Sequence, residues 1–194
     1  MWIIIGAILI ALMVIAARWF LKATAAIKLN QAVKEQIWIN YKLMFPYATE
    51  MDAEIWSDSY FLGYIQGESA LMSTIYGRGL STMRRGMVLI EAIKDFYRGD
   101  YREICQRIED LNSTKNPAFI QGAEHGANVA ILMADKAGPA LLAEPEVQIA
   151  LKEAPAQQDL YEKLFGQRPR GQTQTAGTIL MTNYMHAHRD RLNR

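Results

Sequence analysis

Apolar positions recur along this chain at helical spacing almost from end to end, and nowhere do they alternate as a half-buried strand requires. The first run, Trp2 to Ala17 (WIIIGAILIALMVIAA), carries no charge and almost no polarity. Beyond it the pattern turns amphipathic. Leu29, Val33, Ile37, Tyr41 and Met44 share one face, so a single helix is expected to continue to about Met44, where Phe45-Pro46 ends it. Thr49, with Asp52 three residues on, reads as the cap of a helix through about Gly67, and a further helical piece reaches Tyr76. Gly77-Arg78-Gly79 then breaks the chain. Ser81 caps the next helix, whose stripe is Met83, Met87, Ile90, Ile93 and Tyr97.

Gly99-Asp100 turns the chain into a second stripe of Tyr101, Ile104, Ile108 and Leu111. Residues 112–116 form a polar loop, and Asn116-Pro117 opens a helix over 117–136. Its alanines, Ala118, Ala123, Ala127, Ala130 and Ala134, suit close packing against a neighbour. Gly138-Pro139 stops it, and short helices follow over 144–152 and 156–165. The expected fold class is all-α, an N-terminal single transmembrane helix followed by a multi-helix bundle. Its expected parts are an anchor over 1–22, a helical extension over 23–46, a helical domain over 47–166, an exposed linker over 167–175 (QRPRGQTQT) and a last helix over 176–194.

The membrane reading rests on length and flanks. At 1.5 Å per residue the run Trp2 to Ala17 covers about 24 Å, and Trp19-Phe20-Leu21 extends it past a snorkelling Arg18 to about 30 Å. Trp2 and Trp19 fall where interfacial aromatics belong. Ala23-Thr24-Ala25 has the small-x-small form of a signal cleavage site, but no basic residue precedes the run and Arg18 and Lys22 intervene. Arg18, Lys22, Lys28 and Lys34 all follow it, so the positive-inside rule places the C-terminal bulk in the cytoplasm, at an inner or plasma membrane. Gly6, Ala7 and Ala11 offer a weakly specified contact to another membrane helix.

Charge changes the picture little. With 21 Lys+Arg against 20 Asp+Glu no field gathers nucleic acid, and none is expected as a partner. The single cysteine, Cys105, forms no internal disulfide and reads as a small packed residue.

Residues 85–117 resemble a single tetratricopeptide-type helical hairpin: an amphipathic helix, Gly99-Asp100-Tyr101, a second amphipathic helix, and Asn116-Pro117 near the repeat end. Ile104 stands where the small residue usually lies, Glu91 where an apolar one does, and no second copy is visible. The resemblance implies a protein-binding scaffold.

Candidate chemistry is sparse. Gly77-Arg78-Gly79-Leu80-Ser81-Thr82 begins like a dinucleotide fingerprint but has Thr82 for the third glycine and no preceding strand. His186 and His188 lie on different sides of their helix and do not suit one metal. The acids Glu50, Asp52, Glu54 and Asp58 suit a helix start. No catalytic residue, metal, cofactor or small-molecule substrate is identified. A protein partner is expected instead, with Trp56, Gly63, Tyr64 and Gly67 as candidate partner-binding residues, because glycines four apart let helices approach closely. The expected function is that of a membrane-anchored adaptor, assembly factor or accessory subunit acting by protein–protein binding. The rivals are a membrane-tethered enzyme using Glu68, Glu124 and His125, and a periplasmic envelope or immunity-type protein on an uncleaved anchor.

Overall fold

The computed structural model describes the backbone of residues 2–77 and 79–193, and the side chains of residues 21–77 and 79–193. Its helices are α1 (Trp2–Met44), α2 (Ser59–Tyr76), α3 (Thr82–Phe96), α4 (Tyr101–Ser113), α5 (Pro117–Met133), α6 (Pro139–Leu142), α7 (Pro145–Glu153), α8 (Gln158–Phe165) and α9 (Gln172–Leu192), with 3₁₀ turns at Ala53–Ser57 and Ala154–Ala156. No strand occurs among the described residues, and the chain is all-α.

The centre of the molecule is α2. Tyr60, Phe61, Leu62, Gly63, Tyr64 and Ile65 are all buried, and a helix that is apolar on every side can only lie inside. It pairs most extensively with α5, and α9 packs against α5, α7 and α1. The C-terminal half of α1 closes the bundle over α3 and α9, with Leu29, Val33, Ile37, Tyr41 and Met44 all buried as their spacing requires. Residues 29–44 therefore belong to the core of the body. Among the described residues no helix is long and apolar enough to cross a membrane. The expected anchor over 1–22 lies outside the described side chains except for Leu21 and Lys22, which are exposed, and the Gly6, Ala7 and Ala11 contact lies outside them entirely.

Local side-chain capping opens α2, α3, α4 and α5. Asp58 accepts from the Phe61 N–H at 2.6 Å, Asp100 from Arg102, Asn116 from Phe119 and Ser81 from Arg84, each satisfying an N–H that the first turn leaves open. Three expectations change. Thr49 caps nothing; Asp52 caps the first 3₁₀ turn and Asp58 caps α2. The helix does not stop at Gly67 but runs to Tyr76, because tertiary packing on both sides of Gly67 outweighs its poor helix propensity. The last helix begins at Gln172, and Thr175, expected in an exposed linker, is fully buried.

The stripe expected on α3 is also displaced. Met83 is 78% exposed and Met87 is exposed too, while Val88, Ala92 and Ile93 face the core. α3 packs on α1 and α2 more than on α4, although α3 is the main neighbour of α4, so the tetratricopeptide-like pairing of 85–117 dominates the contacts of α4 but not those of α3.

Candidate functional site

The sequence signal Gly63-x-x-x-Gly67 is answered within the chain. A Cβ on Gly63 would sit 2.0 Å from the Phe119 carbonyl oxygen, and one on Gly67 would sit 2.0 Å from that of Ala123. The reciprocal glycines are Gly122 and Gly126, whose Cβ atoms would meet the Tyr60 and Tyr64 carbonyl oxygens at 2.2 and 2.1 Å. Two small-x-x-x-small faces thus bring the α2 and α5 backbones into direct contact. Gly122 and Gly126, not the alanines of that helix, supply the approach. The Gly-x-x-x-Gly spacing in Gln121–Ala127 was visible in the sequence, but nothing there paired it with α2. Of the four candidate partner-binding residues, Gly63, Tyr64 and Gly67 are placed inside the fold.

Trp56 is placed differently. It is buried on the 3₁₀ turn, yet lines a hollow of about 780 Å³ between the end of α1, the 47–53 segment and the α3–α4 corner. Tyr41, Tyr47, Phe96 and Tyr97 line the same hollow, and an adjoining one of about 500 Å³ adds Trp38 and Lys34. Trp38 stacks on Phe96 with centroids 6.3 Å apart, and Trp56 contacts Tyr97 at 6.0 Å. The Trp56 Nε1–H finds no acceptor in the protein. Around the rim Lys34 pairs with Asp95 and Arg98 with Glu50, while Glu35 and Asp52 add two further acidic side chains. Trp38 and Phe96 carried no sequence signal, since a groove assembled from residues about 60 apart has none.

The acids and histidines sort into two further places. Glu68 is 2% exposed, and its Oε2 accepts from Asn40 Nδ2 at 2.6 Å. Burial raises its carboxyl to about 8, the Asn40 and Gln36 amides only partly opposing that. The second place joins α2, α5, α7 and α9. His188 Nε2–H donates to Asp58 at 2.9 Å and its ring stacks on Tyr60, whose hydroxyl meets His125 Nδ1 at 2.8 Å. His125 in turn stacks on Tyr184 at 3.9 Å, and the Tyr184 hydroxyl donates to Glu146 at 2.7 Å. Burial lowers the His125 pKa, favouring the neutral ring.

Burial raises Asp58, but the His188 hydrogen bond and the Phe61 N–H outweigh it and hold the carboxyl below its ordinary value. Glu68, Glu124 and His125 do not converge. Glu68 faces a cavity with Gln36 and Met72, His125 one with Glu146 and Arg191, and Glu124 is exposed. No group of three metal-ligating side chains occurs among the described residues. Cys105 is half-buried, and burial pushes its thiol up, away from reactivity. No protein-family model, curated protein or solved structure matches the chain.

Proposed function

We propose that this chain is a membrane-anchored adaptor whose helical body, held at the cytoplasmic face by the apolar segment Trp2 to Ala17, docks a peptide segment of a protein partner. The observation that carries this reading is the aromatic groove of Trp38, Tyr41, Trp56, Phe96 and Tyr97. Aromatic side chains give large contact area with little entropy to lose, and they dominate protein interfaces. Trp56 and Tyr41 are buried behind this wall, so Trp38, Tyr47, Phe96 and Tyr97 supply its contact surface. A rim whose acids outnumber its bases disfavours a polyanion.

Geometry supports the membrane side as well. Helix α1 is continuous from Trp2 to Met44, and its second half is core. The body is therefore fixed to the apolar segment without a flexible linker, and the groove, lined in part by Gln31 to Tyr41 of that helix, lies on the same rod. Tethering of this kind raises the effective concentration of the body for a membrane partner.

The test places a photo-crosslinking amino acid at Tyr47, which is 97% exposed on the groove rim, in the full chain within its native membranes. A discrete adduct that disappears when Phe96→Ala is added supports the reading. An absence of adducts, with a monodisperse lone protein after mild detergent extraction, refutes it. Membrane attachment is read separately: recovery of the chain in the carbonate-washed pellet is expected, and a soluble chain beginning near residue 26 overturns the anchor.

A further inference from the structure

Glu68 lies at the inner end of a cavity of about 260 Å³ bounded by α1, α2, α5 and α8. The composition of its wall is one-sided. Two carboxyls (Glu68 and Glu35), three aromatic rings (Tyr76, Tyr161 and Phe165) and the thioethers of Met72 and Met133 face it, and among the described residues no lysine, arginine or histidine does. Tyr76 is 53% exposed, so the aromatic end forms the mouth and the carboxyl the floor.

At the floor the hydrogen bonding is incomplete. Glu68 Oε1 makes no hydrogen bond to the protein, although Oε2 is held by Asn40. Asn40 Oδ1, which is fully buried, has no donor either. Gln36, also on the wall, donates one amide N–H to the Met181 sulfur at 2.9 Å, and its amide also lies against Glu68, whose pKa it lowers. Glu68 Oε1 and Asn40 Oδ1 therefore lack protein donors, and no cation lines the described wall. Burying a carboxylate without a counter-ion is costly, so the carboxyl stays neutral while the cavity is empty.

We propose that this cavity binds a small organic ammonium, a primary or secondary amine carrying an apolar body of about one aromatic ring, with its N–H groups on Glu68 Oε1 and its body among Tyr76, Tyr161 and Phe165. The ammonium supplies the donors that the floor lacks, and its apolar body covers the ring surfaces toward the mouth. Most of the wall is apolar with one polar end, the usual build of a small-ligand site. The proposal is independent of the groove on the other side of α1. An empty Glu68 carries its proton at neutral pH, so binding of the cation expels that proton to solvent and leaves a carboxylate–ammonium pair. The other titratable groups facing the cavity are Glu35, Tyr76 and Tyr161, with Tyr64 beside Glu68 on α2 and the Arg170 charge acting on Tyr76 and Tyr161 at the mouth.

The experiment is calorimetric titration of the full chain in mild detergent with phenethylammonium, using 2-phenylethanol and 3-phenylpropionate as neutral and anionic counterparts. The amine is expected to bind with release of close to one proton at pH 7, read from the dependence of the heat on buffer ionisation. The alcohol and the acid are expected to bind roughly tenfold or more weakly. Glu68→Gln abolishes proton release and weakens the amine by at least as much. Tyr161→Ala, which leaves the floor intact, weakens it severalfold while proton release persists. Equal binding of amine and alcohol, or unaltered amine binding and proton release in Glu68→Gln, overturns the proposal. So does an absence of binding by wild-type protein that melts cooperatively.

Discussion

The α2–α5 crossing makes one sharp quantitative demand, because two glycines on helices must respond to the same substitution with opposite sign. In Gly67→Ala the new Cβ would stand 2.0 Å from the Ala123 carbonyl oxygen and 2.8 Å from its carbonyl carbon and Cα. A carbon–oxygen contact needs about 3.3 Å, so the helices must part by roughly 1.3 Å. The atoms met are backbone, and no rotamer change relieves them. Overpacking of this kind costs about 1–3 kcal/mol, and parting the most extensive helix pair in the fold places Gly67 at the upper end. The better helix propensity of alanine returns about 1 kcal/mol, leaving a net loss of about 2 kcal/mol.

Gly86, exposed on α3, is the counterpart. A Cβ there meets nothing within 4 Å, so Gly86→Ala keeps the propensity gain and stabilises by up to about 1 kcal/mol. Thermal unfolding of the full chain in detergent, followed by far-ultraviolet circular dichroism, reads both. At about 2–4 °C per kcal/mol for a chain of this size, Gly67→Ala is expected to melt about 4–8 °C below wild type. Gly86→Ala is expected to melt a few degrees above it. A Gly67→Ala protein as stable as wild type would mean that the two backbones do not touch there, and the placement of α5 on α2 would be wrong.

Three further outcomes follow from the same geometry. The Glu68 carboxyl titrates at about 8 in the folded state against 4.5 for the unfolded value, so the native state holds the extra proton between them. Stability must therefore fall as pH rises from about 4.5 to 8, and denaturant titrations of Glu68→Gln should lose that slope; a wild-type slope unchanged by the substitution refutes the assignment. Asp58 titrates low, so its contribution is present above the ordinary carboxylate range and is lost as pH falls through its lowered folded value. Asp58→Ala removes both the α2 cap and the His188 partner and is expected to cost about 2 kcal/mol in chemical denaturation, with Asp58→Asn losing less. Met83→Lys, at an exposed position, is expected to change stability by no more than about 0.5 kcal/mol, and a large loss would restore Met83 to the core.

Local chemistry was legible without coordinates. Asn116-Pro117, Ser81 and Gly77 mark helix ends because capping involves only neighbours in the chain, and the 29–44 stripe was read correctly because its whole face meets one surface. On α3 the stripe holds at Ile93, which is buried, and at Tyr97, which packs on the core, and fails at Met83 and Met87 for a physical reason. Two apolar arcs overlap on that helix, one through Met83 and Met87, the other through Val88 and Ala92, and only the neighbours decide which is covered. The site was less legible still. Trp56 could be singled out, but Trp38 and Phe96, which complete the groove, come from different helices, as do Glu68 and Tyr161 of the cavity.

By itself, then, the sequence determined an all-α chain, the ends of several of its helices, the near-balance of charge and the long apolar first segment. Only the tertiary structure decided that Gly63 and Gly67 meet Gly122 and Gly126 of the same chain, that Glu68 is sealed against Asn40, and that Asp58 meets His188 from 130 residues away. The division has one cause. Caps, turns and periodicity depend on residues within a helical turn of each other, whereas burial and partnership depend on which helix arrives from elsewhere, and no local pattern encodes that arrival.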